Sequence, residues 1–370
     1  MGEPSTFVGL DAHKSTIVVA MLLPGKREAI EWRMVHEPRA VRRLAHKLDR
    51  EAMGGVRCCY EAGPCGYALQ RQLRSLGIDC QVIAPSLIPI RPGSHIKTDR
   101  RDARKLAELL RAGLLTEVHP PSEDEEAVRD LVRCRDDAQR DLTRARNRLA
   151  KFLLRRGLVC PGAIHLGSQR YSTWLAELRF ERTPDQWVFE DYLLAADQQL
   201  SRRECLDVRL LEVAQQEPYR TPVAALRCVR GIDTVTALAL VAELHDPRRF
   251  PSARHLMGYL GLVPSESSSG DRRRQGGITS AGNRFLRRLL TEAAWHYRHK
   301  PQVGVRLRAR RLGQPAAIIA LADRAQRQLC RRFRRLSARG KHPGTVTIAV
   351  ARELTGYLWL VLHNWVPARA

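Results

Sequence analysis

Apolar and polar residues alternate with two different periods along the first 115 residues of the chain. Short β-branched and apolar runs with a period of two predict strands, whereas stretches with apolar residues three and four apart predict amphipathic helices. The predicted strands cover residues 6–10, 16–23, 28–35, 55–61 and 80–84. The predicted helices cover residues 38–52, 66–76 and 99–112. We therefore expect an α/β unit at the start of the chain.

The order of these elements is three strands, a helix, a strand, a helix, a strand and a helix. This is the order of an RNase H-like mixed sheet, in which the first and fourth strands lie side by side. Asp11 follows the first strand and Glu61 closes the fourth, so the order predicts that these two carboxylates are neighbours. Asp99 and Asp102 open the helix at 99–112, and their spacing places both on one face of its first turn.

Four carboxylates in this arrangement suit Mg²⁺. This ion prefers hard oxygen ligands and keeps several waters, so two or three carboxylates and a substrate phosphate are sufficient. Two such ions, roughly 3.5–4 Å apart, stabilise both the attacking and the leaving oxygen of a phosphoryl displacement. Taken singly, each acid also has a structural interpretation, because Asp is common in turns and acids are favoured in the first turn of a helix.

A long helical pattern begins after Glu123. Its apolar positions alternate three and four apart and are interrupted once, by Arg135; they are Val128, Leu131, Ala138, Leu142, Ala145, Leu149 and Phe152. A second helix, at about residues 189–216, begins with the same spacing. The pattern is typical of a coiled coil of three to four heptads. It predicts either a dimerisation arm or a hairpin of two helices within one chain, and the spacing leaves both open.

The remaining residues, 221–370, predict a mainly helical region with two segments of chemical interest. Residues 226–237 resemble a helix-hairpin-helix, in which a tight turn at Gly231 leads into a helix whose first amides would hold a DNA phosphate. An ordinary corner with glycine ending the first helix fits equally well. The second segment carries Ser267, Ser268 and Ser269 close to Arg272, Arg273 and Arg274. Its composition is that of a flexible loop, although a serine beside these arginines would also be placed to attack a phosphodiester.

The net charge of the chain and its distribution indicate the kind of molecule that the protein binds. The net charge is +24, and residues 271–340 hold 19 Arg or Lys against three acids, a concentration that predicts a surface for a polyanion. The nine cysteines lack the spacing of a zinc site and predict reduced thiols. No secretory signal opens the chain and we find no apolar run of about 18 residues, so we expect a cytoplasmic prokaryotic protein that neither crosses a membrane nor is exported.

Four segments together resemble the DEDD transposases of the insertion-sequence one-ten family. They are residues 8–14 with the sequence VGLDAHK, residues 60–63 with YEAG, residues 97–103 with KTDRRDA, and residues 261–288. The resemblance covers nearly the whole chain in order. It implies a RuvC-like catalytic domain at 1–118, a coiled-coil dimerisation region at 119–220 and a transposase domain with a catalytic serine at 221–370.

The resemblance also implies roles for individual residues. Asp11, Glu61, Asp99 and Asp102 would be the ligands of Mg²⁺, and Ser269 would be the nucleophile that forms a phosphoserine-DNA intermediate. Nucleic-acid contacts are expected from the glycine of the hairpin and from arginines of the C-terminal region, namely Gly231, Arg272, Arg273, Arg274, Arg284, Arg287 and Arg288. The expected partners are donor and target DNA, a structured guide RNA encoded by the element, and further copies of the chain in a dimer or tetramer.

Two other classes of protein remain compatible with the residues. A RuvC-like, Mg²⁺-dependent endonuclease that hydrolyses DNA junctions would need the four acids but not Ser269. A non-catalytic nucleic-acid-binding protein would need only the basic surface. A covalent protein-DNA adduct that depends on Ser269 would separate the transposase from both.

Overall fold

The computed structural model describes residues 5–89, 98–162, 166–267 and 274–365. The chain divides into two compact units, Met1–Pro121 and Ser122–Ala370. The first unit is built on a mixed sheet and the second is mainly helical, as the patterning predicts.

The first unit contains a sheet with six strands among the described residues. The strands are β1 Ser5–Ala12, β2 Thr16–Leu22, β3 Ile30–Val35, β4 Gly55–Glu61, β5 Asp79–Ile83 and β6 Glu117–Val118. Their order is β3-β2-β1-β4-β5-β6, and β4 runs parallel to both β1 and β5. The predicted RNase H-like arrangement is therefore confirmed, including the pairing of the first and fourth strands. The sequence pattern missed β6, which is only two residues long.

Helices α1 Pro38–Glu51, α2 Ala68–Ser75 and α3 Asp99–Arg111 pack on this sheet. Successive side chains of a strand point to opposite faces. In β4, Tyr60 therefore packs with apolar residues of α1 and α2, whereas Cys59 packs with Leu106 and Leu110 of α3. The helix α3 thus lies alone with its apolar face on the side of the sheet reached by Cys59 and by the residues in register with it.

The second unit contains the remaining elements. Its helices are α4 Glu123–Arg155, α5 Gln169–Glu177, α6 Thr183–Val213, α7 Arg220–Leu226, α8 Thr234–Leu244, α9 Ala253–Tyr259, α10 Arg284–Trp295, α11 Val305–Arg311, α12 Ala316–Ala338 and α13 Pro343–Trp365. A short hairpin, β7 Pro264–Glu266 and β8 Gln275–Ile278, lies between α9 and α10.

Helix α4 begins with a capping box. The Ser122 hydroxyl accepts the amide of Glu125 at 3.1 Å, and the Glu125 carboxylate accepts the amide of Ser122 at 3.0 Å. Two otherwise unpaired amides are satisfied in this way, which fixes where the long helix starts.

Helices α4 and α6 pack against each other as an antiparallel hairpin within one chain. Ion pairs along the hairpin show the direction, since Arg135 of α4 pairs with Asp207 near the end of α6, while Arg156 just after α4 pairs with Asp185 near its start. Five residues of the apolar seam predicted for α4 are buried, namely Ala138, Leu142, Ala145, Leu149 and Phe152, whereas Val128 and Leu131 are partly buried. Arg135, which interrupts the apolar spacing, is held by Asp207 at 2.7 Å. The hairpin interpretation of the seam is the one observed, and dimerisation through it stays a prediction.

One apolar core joins the helical hairpin to the C-terminal helices. Val132 of α4 and Leu210 of α6 belong to the same buried cluster as residues of α7, α8, α10, α12 and α13. The division at residues 220 and 221 therefore stays a prediction, because the described residues on both sides share a core.

Helix α13 is apolar enough to pass a test for membrane-spanning helices, with a mean hydropathy of 1.3 over Pro343–His363. Such a segment was not expected from the sequence. Half of it is buried in the core of the second unit, where Val350, Leu354 and Leu358 are fully or almost fully covered. It packs as a core helix of the second unit.

Candidate metal centre and nucleic-acid interface

The position of Asp11 depends on a close contact between β1 and α3. Gly9 and Asp11 are two residues apart in β1 and so face the same side of the sheet. A Cβ atom on Gly9 would lie 2.0 Å from the carbonyl oxygen of Ala103 and 2.6 Å from the amide nitrogen of Ala107. Only glycine allows α3 to approach this closely, and the approach brings the start of α3 to the end of β1.

The start of α3 is fixed by Thr98, whose hydroxyl accepts the amide of Arg101 at 3.4 Å. Asp99 is the first residue of the helix, and its side chain is about half exposed, at 49%. A carboxylate is favoured here by the positive end of the helix dipole. The helix thus presents Asp99 to the end of β1.

Three side chains meet at this point of the first unit. His13 Nε2 lies 3.2 Å from Asp11 Oδ2 and 3.8 Å from Asp99 Oδ1. One ligand atom from each of the three residues lies within 4.8 Å of the other two. The sequence analysis did not single out His13 as a ligand. Its spacing of two from Asp11, directly after the strand, is a signal that could have found it.

Burial and neighbouring charges shift the pKa of Asp11 in this cluster. Burial raises the pKa of Asp11, and the carboxylates of Asp99 and Asp102 raise it further, whereas His13 lowers it. Repulsion between carboxylates and partial burial together favour a positive charge at this position. Carboxylate oxygens with one imidazole nitrogen are ligands that divalent cations accept, so the residues present fit such an ion.

The other two predicted acids lie close by in the fold. Leu10 of β1 pairs with Tyr60 of β4, so Glu61 follows at the same sheet edge as Asp11 and on the same face. Its side chain is exposed and does not belong to the three-residue cluster. Asp102 lies one turn after Asp99 and is near enough to raise the pKa of Asp11. The structure thus brings Asp11 and Asp99 together with His13. Asp102 and Glu61 lie near this cluster but do not belong to it.

A cavity of about 460 Å³ adjoins the cluster in the same unit. Its walls include His13, Lys14, His36 and Cys65. The Nδ1 atom of His36 lies 2.6 Å from the carbonyl oxygen of His13, a contact that ties the loop after β1 to the end of β3. The cavity therefore offers cationic and polar groups beside the acids, which suits a substrate that carries phosphate.

The second candidate site is the hairpin of β7 and β8. The amide of Ser267 donates to the carbonyl oxygen of Arg274 at 2.9 Å, and this pair closes the described part of the hairpin. The predicted nucleophile Ser269, its neighbour Ser268, and Arg272 and Arg273 lie outside the described residues. Their roles stay predictions. Arg274, the first residue of the next described range, is exposed.

The base of the hairpin is held by backbone contacts. Gly261 has a φ of 63° and Gly282 a φ of 67°, and a Cβ on Gly282 would lie 1.9 Å from the carbonyl oxygen of Tyr259. The Arg287 guanidinium donates to the carbonyl oxygens of Leu260 and Ala281, at 2.8 and 2.7 Å. Burial lowers the pKa of Arg287. This predicted nucleic-acid contact is thus engaged in fixing the hairpin.

Two neighbouring arginines that were predicted to contact nucleic acid differ in whether they are already paired within the protein. Arg288 pairs with Asp136 of α4, which is 7% exposed, and with Glu292 of its own helix. Arg284 is exposed at the first position of α10. Among the described arginines of this group, Arg274 and Arg284 are therefore the ones most accessible to a ligand.

Gly231 lies in the turn between α7 and α8, as the sequence predicts. Its φ is 85°, and a Cβ there would lie 2.6 Å from the carbonyl oxygen of Ala293. The Asp233 carboxylate caps α8 by accepting the amide of Thr236 at 2.8 Å. One of the amides that could hold a phosphate is therefore already satisfied.

A mixed sheet with acids meeting at the end of β1 and the start of α3, followed by a helical unit, fits a DEDD-type transposase. A family model for the DEDD transposase of IS110 type matches residues 8–156, and the model described as transposase IS116/IS110/IS902 family matches residues 223–306. The chain belongs to the IS110 family of insertion-sequence transposases. Membership indicates that the protein acts on DNA by cutting and rejoining it, and the DEDD domain indicates the use of a divalent metal.

Full-length relatives support this assignment. The chain is 41% identical over 359 residues to the Sinorhizobium fredii protein y4qE, which is named as a transposase, with 97% of this chain and 88% of the relative covered. It is 36% identical over 338 residues to the transposase for insertion sequence element IS1533 of Leptospira borgpetersenii, with 90% and 97% covered. The transposase for IS1328 of Yersinia enterocolitica is 26% identical over 298 residues.

Proposed function

We propose that this transposase exchanges DNA strands by using Ser269 as a nucleophile and Mg²⁺ held by the acids of the first unit. The observation that carries the proposal is the meeting of Asp11, His13 and Asp99 within 4.8 Å at one end of the sheet. Asp11 and Asp99 would hold the ion, with Glu61 and Asp102 close enough in the fold to complete its surroundings. When bound, the ion would stabilise negative charge on the scissile phosphate and the leaving oxygen.

The chain's own residues would perform the bond exchange. The hydroxyl oxygen of Ser269 attacks the phosphorus, the bond from phosphorus to the 3′ oxygen breaks, the serine proton passes to solvent, and the 3′ oxygen takes up a proton. Arg272, Arg273 and Arg274 would neutralise charge on the phosphate during the attack. A 3′-hydroxyl of another strand then attacks the phosphoserine and returns the serine oxygen to its free form. The energy of the phosphodiester is retained, so joining needs no ATP.

The cavity beside the metal cluster supports a nucleic-acid substrate. Lys14 and His36 line it next to His13, so a strand whose phosphate lies at the acids would have polar and cationic groups for its neighbouring nucleotide. Phosphate contacts of this kind orient a strand without reading its sequence.

We also propose that a structured RNA from the element selects the sites. The family resemblance supports this, and the net charge of +24 is compatible with an RNA as well as a DNA partner. The DNA that flanks the gene tests it directly. A noncoding stretch complementary to both the element junction and the insertion target is expected, and its absence would count against guidance by RNA.

A covalent adduct assay tests the serine chemistry. The full chain is incubated with element-end DNA, Mg²⁺ and the flanking transcript, and DNA-linked protein is sought on a denaturing gel. We expect an adduct with the wild type and with Ser267→Ala, whose backbone pairing with Arg274 does not involve the hydroxyl. Ser269→Ala should give no adduct and no joined strands. An undiminished adduct in Ser269→Ala would show that the serine assignment is wrong.

The same assay separates the remaining classes of protein. Strand cleavage without any adduct in the wild type would favour a hydrolytic endonuclease that uses only the acids. Binding without cleavage under every metal condition would favour a non-catalytic role.

A further inference from the structure

The second unit contains a cavity of about 680 Å³ that the proposed chemistry does not use. It lies between the turn at Gly231, the segment after α10 and the helix α11. Arg230, His296, Arg306 and Arg310 line it, together with the apolar side chains of Val305 and Leu307. All of these groups belong to one compact unit, so the cavity is complete within it.

Hydrogen bonds to the backbone hold two of the cavity's arginines in place. Arg230 donates to the carbonyl oxygen of Lys300 at 2.9 Å, and Arg310 donates to that of Ile232 at 2.7 Å. The turn between them requires Gly231, because a Cβ there would meet the Ala293 carbonyl oxygen at 2.6 Å. Both guanidinium groups are thus positioned before any ligand arrives, which reduces the entropic cost of binding.

The charges of the cavity favour an anion. Asp233 is the acid among its lining residues, and its carboxylate already caps α8 through Thr236. Burial lowers the pKa of Arg310, and the nearby Arg227 lowers it further. Burial and the charge of Arg230 likewise lower the pKa of His296, which keeps its ring neutral at pH 7. A negatively charged group would relieve the repulsion among these cations.

The size and the walls of the cavity identify the kind of anion. Sites for whole small molecules span roughly 300–1,000 Å³, so this cavity holds more than a bare phosphate. Unpaired bases stack on histidine rings and on guanidinium planes, and both are present here. Base-paired strands cannot place a base in such a concave site.

We propose that this cavity binds one unpaired nucleotide of a nucleic-acid strand, with its phosphate at Arg306 and Arg310 and its base against His296. The inference rests on the nucleic-acid function proposed above and adds a site to it. RNA and DNA share the phosphate and base chemistry that the cavity recognises, and the experiment below compares them directly.

The test uses the full chain in EDTA, with fluorescence anisotropy of labelled 12-nucleotide RNA, 12-nucleotide DNA and the same DNA as a duplex. Arg306→Gln removes a cavity arginine whose side chain is exposed. Arg308→Gln is the matched control, because Arg308 is exposed on the same helix and does not line the cavity. Val305→Trp fills the cavity without a change of charge, at a side chain that is 83% exposed.

We expect Arg306→Gln and Val305→Trp to weaken binding of at least one single strand by about fivefold or more, and binding of the duplex by less than about twofold. Arg306→Gln should also reduce the steepness of the plot of log K against log salt concentration by about 0.7. This is the contribution of one phosphate contact on a single strand. Arg308→Gln should change affinity by less than about twofold. The strand that loses more affinity identifies the source of the nucleotide.

If Arg306→Gln and Arg308→Gln changed the affinity equally and Val305→Trp did not change it, the proposal that the cavity binds a nucleotide would be wrong. The proposed function would remain intact. Equal losses for single strands and duplex would replace the unpaired nucleotide with a general phosphate contact. If the wild type bound none of the three probes, the nucleic-acid function itself would fail as well. Circular dichroism of each variant confirms that the fold is retained.

Discussion

In the first unit, acidic side chains that repel one another lie together at a sheet edge, whereas in the second unit several charged side chains are paired inside the protein. Asp11 and Asp99 both lie close to His13, at 3.2 and 3.8 Å. By contrast, Glu243 is 3% exposed and accepts two hydrogen bonds from Arg133, at 2.6 and 3.0 Å, as well as one from Asn283.

The difference shows that charge along a sequence does not by itself locate function. Residues 271–340 carry an excess of 16 positive charges, yet three arginines of this stretch are engaged inside the protein. Arg287 and Arg311 donate to backbone carbonyl groups, and Arg288 pairs with the buried Asp136. The first unit has no such excess of one charge in a single stretch, but two of its acids converge with a histidine, and burial and the neighbouring carboxylates raise the pKa of Asp11. Uncompensated charge is therefore the better indicator of a site than the number of charges.

The largest effect is expected from Asp11→Asn. The substitution removes a negative charge from the cluster while keeping the shape of the side chain. Metal-dependent strand cleavage should fall by about a thousandfold, since transition-state charge would lose its stabilising ion. Nucleic-acid affinity measured in EDTA should stay within about twofold. Asp49→Asn, at an exposed position of α1, is the control and should retain cleavage. Full cleavage by Asp11→Asn would remove the cluster from the mechanism.

A second test concerns the contact that brings the acids together. Gly9→Ala places a methyl group 2.0 Å from the Ala103 carbonyl oxygen, so α3 must shift away from β1. We expect a loss of about 2–3 kcal/mol in the free energy of unfolding of the first unit, together with weaker cleavage. Gly55→Ala is the matched control in β4, because its nearest contact would be the Ser5 hydroxyl at 3.9 Å. Urea unfolding measures both, and equal stability of the two variants would contradict the close packing.

The sequence predicted the strands and helices of the first unit well, because each of β1 to β5 and α1 to α3 is long enough to show its periodicity. Pairing of the first and fourth strands followed from their order. The spacing of His13 from Asp11 is a local signal for their contact, but the proximity of His13 to Asp99 depends on the packing of α3 on Gly9. No local pattern reports a contact between residues so far apart in the chain. The same packing decides which of the four acids face each other.

The helical seam shows a different limit. Apolar positions three and four apart look the same whether the partner helix belongs to the same chain or to another. The choice was made by side chains outside that pattern, since Arg135 and Asp207 pair within the chain and fix the antiparallel direction of α6. Arg135 appeared as an interruption in the sequence, and it is a contact of the hairpin in the structure.

The pairing of charges in the second unit can be tested at one arginine. Arg288 contacts both Asp136, which is 7% exposed, and Glu292, which is 60% exposed. We expect Asp136→Ala to lower the free energy of unfolding by about 2 kcal/mol, because Arg288 and Arg140 both lose their buried partner. Glu292→Ala should cost less than about 0.5 kcal/mol, as is usual for an exposed pair. Chemical denaturation measures both variants. If Asp136→Ala and Glu292→Ala lost similar amounts of unfolding free energy, the burial of Asp136 would not make its contact with Arg288 stronger than that of Glu292.

A smaller effect is expected at His245, which ends α8 with a φ of 52° and is 5% exposed. Burial lowers its pKa to about 4, with Arg129 and Arg249 acting in the same direction and Glu125 and Glu243 opposing them. In the unfolded chain a histidine has a pKa near 6.5. As the pH falls, the unfolded state therefore takes up this proton first, and the folded state is destabilised progressively from about pH 6.5 down to about pH 4.

His245→Asn should remove this part of the pH dependence, and Asn tolerates a positive φ better than most residues. Between pH 7 and pH 5 the wild type should lose about 1–2 kcal/mol more of its unfolding free energy than the variant, when helical signal is followed in urea at each pH. His299→Asn, at an exposed position of the same unit, should keep the wild-type slope. Parallel curves for wild type and His245→Asn would mean that the buried ring is not held neutral. A steeper loss in the wild type would show that burial and the neighbouring arginines outweigh Glu125 and Glu243, so that the second unit keeps this positive charge out of its interior, whereas the first unit gathers negative charge at the exposed end of its sheet.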